Sequence, residues 1–196
     1  MNADRRFSEL VSLACHDLRT PLATVAGFAS TLLRLGTLDA QGERYIRLIE
    51  AATGQLADIT DQLGLAARVA GGLFEPSLER VDSLELARAA VERLGGGQAS
   101  AHGEGAPVHV DRTAATSALA GLLRAALRHG GLKTIELRVD GPAITAAPLV
   151  EGAARVVVGD ELRDLGAATG RAVIEALGGS IEQAGEALVV RLPPDS

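Results

Sequence analysis

Two runs of apolar residues at spacings of three and four occupy the first third of the chain, and they leave it few folds to choose from. The first passes through Phe7, Leu10, Ala14, Leu18, Pro21, Val25, Phe28, Leu32 and Leu35; the second through Tyr45, Ile49, Ala52, Leu56, Ile59, Leu63, Ala66 and Ala70. Such spacing keeps one stripe of a helix apolar turn after turn, as in helices that pack along their whole length. Gly36 ends the first run, Thr37-Leu38-Asp39 is a turn in which Thr37 or Asp39 caps the next helix, and Gly71-Gly72 closes the second. So short a connection makes the helices antiparallel neighbours. Two helices cannot enclose both stripes alone. The expected solution is a homodimer, two hairpins forming a four-helix bundle about a twofold axis; the competing one is a monomer whose hairpin packs on its own downstream domain.

The pattern changes at Phe74-Glu75-Pro76, which reads as a connector between a domain of residues 1–73 and one of 74–196. Beyond it, helices and short strands alternate. Helices are predicted over Ser83–Leu94, with Ser83 as N-cap, over Arg112–His129 and over Leu162–Leu177. Strands are predicted near Gln98–His102, Pro107–Val110, Thr134–Val139, Ala143–Ala147, Ile181–Gln183 and Ala187–Leu192, with a glycine-rich turn between the first two. Arg155–Val158 is a further apolar run. The order suggests an α/β sandwich, a sheet with helices on one face.

Composition narrows the function. The chain of 196 residues is 47% apolar, enough for a real core, and its net charge of −6 with 2% aromatics argues against nucleic acid as a partner. Its single cysteine, Cys15, rules out an intrachain disulfide and fits a reducing, cytoplasmic setting. Only six residues precede Phe7, with no secretory signal and no apolar run long enough to span a membrane, so any input is expected from a partner. His102, His109 and His129 are too scattered for a metal set, and Asp160, Glu161 and Asp164 read as the solvated start of a helix.

His16 remains. At about 100° per residue it lies about 200° from Ala14, away from the apolar stripe, with Ser12, Arg19 and Thr20 at offsets of three and four. A neutral imidazole is nucleophilic near pH 7, and its phosphoramidate transfers readily to a carboxylate. The run ACHDLRTPLATVAGF resembles the phosphoacceptor box of the dimerising domain of sensor histidine kinases through His16, Asp17, Leu18, Arg19, Thr20, Pro21 and Leu22. The resemblance implies phosphorylation of a ring nitrogen of His16. It makes Asp17 the carboxylate that keeps the imidazole nucleophilic and Thr20 the residue that positions water in a phosphatase reaction. Ser12 and Arg19 would then belong to the face on which receiver domains dock, Arg19 forming a surface salt bridge or steadying the phosphoryl charge.

The remainder resembles a reduced GHKL-type ATPase domain, the catalytic domain that follows the hairpin in histidine kinases. VHVDRTAATSALAGLLRAALRHGG looks like its asparagine-box strand and helix, and TGRAVIEALGGSIEQAGEALVVRLP like its closing helix and hairpin. The chemistry of that domain is depleted. Gly121 and Ala125 stand where the family has asparagines, one of them the ligand of the Mg²⁺ on ATP, and the chain's only asparagine is Asn2. No phenylalanine follows Phe74, the second glycine box shrinks to Leu165-Gly166-Ala167, and the lid segment is missing. The expectation is therefore no intrinsic cofactor, no ATP binding, and Mg²⁺ supplied by the receiver. Three functions are compatible: a histidine phosphotransferase-like relay between receiver aspartates, fed by a separate sensor or hybrid kinase; a histidine kinase or phosphatase with an eroded nucleotide site; and a dimeric adaptor without chemistry.

Overall fold

The computed structural model describes residues 3–95 and 97–195, and Gly96 in the glycine run after the third helix lies outside them. The chain divides into two compact units, Met1–Leu73 and Phe74–Ser196.

The first unit is a helical hairpin of α1 (Ala3–Leu35) and α2 (Ala40–Ala70). Gly36, at φ +62°, turns the chain out of α1 in a backbone region that costs glycine nothing. Asp39 caps α2, its Oδ1 accepting the Gly42 N–H at 2.7 Å. The helices do not meet along the predicted stripes. They meet one residue further on, along Ser8, Ser12, Cys15, Leu22, Ala26, Ala29 and Leu33 of α1 and Ile46, Glu50, Thr53, Ala57, Thr60, Gly64 and Ala67 of α2, all buried or half-buried. Most of these are small, so the backbones approach closely: a Cβ on Gly64 would lie 3.3 Å from the Cys15 Cβ, and one on Gly71 2.7 Å from the Ser8 Cβ. Thr53 and Thr60 are buried at no hydrogen-bonding cost, because their hydroxyls donate back to Ile49 and Leu56 carbonyls at 2.7 and 2.8 Å. The large apolar residues of the predicted stripes stay in the open, Phe7, Phe28, Leu56 and Ile59 among them.

The second unit is built on two sheets. A ribbon pairs β1 (Glu79–Asp82) antiparallel with β3 (Pro107–Val110). A five-stranded sheet takes the order β2-β4-β5-β7-β6, with β2 (Ala99–Gly105), β4 (Ile135–Gly141), β5 (Ala143–Ala147), β6 (Ser180–Ala184) and β7 (Ala187–Arg191). In β4, Ile135, Leu137 and Val139 are buried while Glu136, Arg138 and Asp140 are exposed, so one face of the sheet carries the core. Helices α3 (Ser83–Leu94), α4 (Arg112–Gly130), α5 (Glu151–Val158) and α6 (Leu165–Ala176) complete the core. The most enclosed is α4, capped by Asp111 and closed by Gly131 in the left-handed region.

Several predicted elements differ. The glycine-rich segment expected as a turn is strand: β2 runs through Gly103 to Gly105 and pairs parallel with β4, while β3 belongs to the ribbon. Gly103 is at φ +119°, where a Cβ would sit 2.1 Å from the Val139 carbonyl oxygen, so only glycine lets these strands pair. Arg155–Val158 is the last turn of α5. The N-cap of α3 is Asp82, not Ser83. Ser83 is fully buried instead, its Oγ donating to the Gly141 carbonyl at 2.6 Å and accepting the Ala106 N–H at 3.0 Å, which ties the ribbon to the β4–β5 corner.

Candidate functional site

The α1 seam turns the helix so that Ser8, Cys15 and Leu22 face α2, and this fixes where His16 points. One residue past Cys15, its side chain is 73% exposed. Its Nδ1 lies 3.4 Å from Asp17 Oδ1, a long and weak contact that still favours the tautomer with hydrogen on Nδ1. In that tautomer the free lone pair is on Nε2, which meets no partner among the described residues. Cys15, 3% exposed against Gly64, is a small buried packing residue.

The neighbours divide. Thr20 is exposed one turn beyond His16, and its carbonyl accepts from Thr24 Oγ1 at 3.0 Å. Ser12 falls on the hairpin's own seam rather than on the open face with His16, and its Oγ is buried with no hydrogen-bond partner among the described residues. Arg19 is exposed but engaged. Its Nη2 and Nε donate to Oδ1 of Asp61 on α2 at 2.6 and 3.3 Å. That hydrogen bond and the carboxylate's charge raise the guanidinium's pKa above its ordinary value. Asp61 was missed in the sequence because its partner is 42 residues away; its place beside the seam residue Thr60, where coiled-coil helices carry interhelical charges, is the signal that points to it.

In the second unit Gly121 and Gly166, which the resemblance sets against the asparagine and glycine boxes, face each other. A Cβ on Gly121 of α4 would lie 2.7 Å from the Gly166 carbonyl oxygen, and one on Gly170 of α6 would lie 2.6 Å from the Ala118 carbonyl oxygen. The two helices thus cross backbone to backbone, with Ala125 fully buried one turn on. Asp164 is not a solvated helix start. It caps α6 through the Ala167 N–H at 3.1 Å, and its Oδ2 takes Arg128 Nη1 at 3.0 Å and His129 Nε2 at 3.1 Å, its side chain only 6% exposed. These contacts tie the end of α4 to the start of α6 and account for His129. Among the described residues, no group of three or more His, Cys, Asp or Glu is placed to hold a metal ion, and no helix is long and apolar enough to cross a membrane.

Comparison with known proteins agrees with this geometry. Residues 8–72 match the His Kinase A (phospho-acceptor) domain. The sensor protein DivL of Caulobacter vibrioides is 29% identical over 91 residues, covering 46% of this chain and 12% of that protein. Among solved structures, full-length ShkA in complex with AMPPNP superposes with a TM-score of 0.67 at 20% identity, covering 94% of this chain and 45% of that one. The histidine kinase AdeS of Acinetobacter baumannii gives 0.57 at 17% identity, covering 92% and 98%. At these identities the structural likeness is one of fold. The hairpin of residues 8–72 is thus similar to histidine kinase phosphoacceptor domains, and the chain as a whole is similar in fold to ShkA and AdeS.

Proposed function

We propose that this chain carries a phosphoryl group on His16 and exchanges it with aspartates of response-regulator receiver domains, working as a homodimer. The observation that carries the reading is His16 itself, held in the open on a phosphoacceptor hairpin with Asp17 at Nδ1 and Nε2 unobstructed. In the forward step the Nε2 lone pair attacks the phosphorus of an aspartyl phosphate. The P–O bond to the acyl oxygen breaks, the aspartate leaves as a carboxylate, and the imidazolium that forms keeps its Nδ1 proton beside Asp17. The reverse step regenerates the neutral imidazole. The receiver supplies Mg²⁺ and its own carboxylates, so the hairpin needs only a nucleophile and a docking face. Thr20, exposed one turn on, would orient water if the phosphoryl group is instead hydrolysed. The exposed apolar stripes support the dimer, since an apolar surface this extensive is a binding surface in a stable protein.

Relay rather than ATP-driven autophosphorylation is supported by the α4–α6 crossing. Where the resemblance calls for asparagine and a phosphate-cradling loop, Gly121 and Gly166 leave no room for even a methyl group. A second reading, a sensor histidine kinase or phosphatase, draws on the likeness to DivL and to ShkA, which was crystallised with AMPPNP. The test is to incubate the purified protein with radiolabelled ATP and, separately, with phosphorylated receiver domains, beside a His16→Gln control. Acid-labile label from receivers alone, lost in the control, supports the relay. Label from ATP establishes the kinase instead, and no label from either donor leaves a dimeric adaptor.

A further inference from the structure

We propose that Asp61 is a latch on Arg19: it holds the guanidinium across the hairpin until a phosphoryl group on His16 draws it away. The inference rests on His16 being the phosphoacceptor. Arg19 is three residues beyond His16 on α1, a neighbouring position on the helix surface, and its long side chain reaches either way. The pair it makes is breakable. Both donors go to one oxygen of Asp61, and the two side chains are 55% and 61% exposed, so water screens the attraction.

Charge in this part of the hairpin makes the choice of partner matter. Arg19 is the only Lys or Arg of α1 between residues 7 and 33, and α2 has none between residues 48 and 67. The next, Arg68, reaches back with Nη1 to 4.0 Å from the Cβ position of Gly64. The acids on the same stretches are Glu9, Asp17, Glu50, Asp58 and Asp61. With Arg19 neutralised by Asp61, an arriving phosphoryl group meets a surface that is acidic on balance. Once bound to Nε2 it presents about two negative charges and three acceptor oxygens, against one charge on Asp61. Arg19 then forms charge-assisted bonds to the phosphoryl oxygens and Asp61 is released on α2. Phosphorylation is thereby read out as a freed carboxylate on the other helix.

Phosphoramidate provides a donor free of any partner: it hands its phosphoryl group to an imidazole nitrogen and leaves as ammonia. The initial rate at which phosphate enters His16, followed by intact mass and by ³¹P NMR, is compared in wild type, Asp61→Asn, Arg19→Gln, the double variant and His16→Gln. The latch predicts that Asp61→Asn labels about 2- to 5-fold faster, the range an exposed ion pair commands, and Arg19→Gln slower than wild type. It also predicts that the double variant matches Arg19→Gln, since the gain requires the freed guanidinium. If Asp61→Asn is no faster, or the gain survives in the double variant, Asp61 acts by simple repulsion or not at all and the latch is overturned. If His16→Gln takes up phosphate as wild type does, or wild type takes up none, the phosphoacceptor reading itself fails and the latch with it.

Discussion

The two units treat the same residue types in opposite ways. In the α/β unit Leu86, Leu122, Ile135, Leu137, Ile144, Leu149, Ile174 and Leu188 are fully enclosed. In the hairpin Leu10, Leu13, Leu18, Leu48, Ile49, Leu56 and Ile59 all lie largely in the open, while the buried seam is made of serine, cysteine, threonine, alanine and glycine. One unit completes its core within a single chain. The other uses its small side chains to bring two helices together and reserves the large ones for an outside surface. A helix pair held mainly by small side chains gains little from apolar burial, at about 25 cal/mol per Å², which is the ground for proposing that a second copy completes the hairpin.

The strongest way to break this comparison is at the outer stripe. Ile49→Asp or Ile59→Asp should abolish the dimer, or unfold the hairpin, because an unpaired carboxylate buried in a bundle costs several kcal/mol. Sedimentation at micromolar concentration reads the result, and a wild-type monomer there would refute the bundle outright. Next comes the enclosed core. Leu137→Ala should destabilise the α/β unit by about 2–5 kcal/mol in urea unfolding, through lost burial and the cavity left behind. Gly170→Ala is smaller in atoms but lands on the Ala118 carbonyl, and a loss of about 1–3 kcal/mol is expected as α4 and α6 are pushed apart. Smallest of all in stability is His16→Ala. Its side chain stands in water, so the melting temperature should stay within error of wild type while phosphoryl uptake from a receiver disappears. A large loss of stability there would mean that His16 is a structural residue.

Much of this was legible in the sequence, for reasons that differ by region. The hairpin's helices and their turn follow from heptad spacing, Gly36 and the Asp39 cap, which are local signals. Which side of each helix closes the hairpin does not, because Ser8, Cys15, Thr53 and Gly64 carry almost no hydrophobic signal; close backbone approach selects them. Strand β1 was missed because its four residues, Glu-Arg-Val-Asp, bury only Val81. The β2 pairing was hidden by glycines that read as turn and serve as contact. His16, Asp17 and Thr20 share little more than one turn of helix and are visible as a motif. Asp61 joins Arg19 across the hairpin, and Asp164 joins His129 over a separation of 35 residues, pairings that only the fold reveals.

The crossing of α4 over α6 has a consequence for how this chain can change. Gly121→Asn would install the residue type that the resemblance calls for, yet its Cβ would collide with a backbone carbonyl rather than with a side chain that can swing aside. The helices would have to part first, and parting them uncovers Ala118, Leu122 and Thr169 before any new contact is made. No single substitution crosses that gap. The crossing therefore acts as a lock: positions 121 and 170 admit nothing larger than glycine while the helices stay together, and an asparagine at 121 demands several coordinated changes at once.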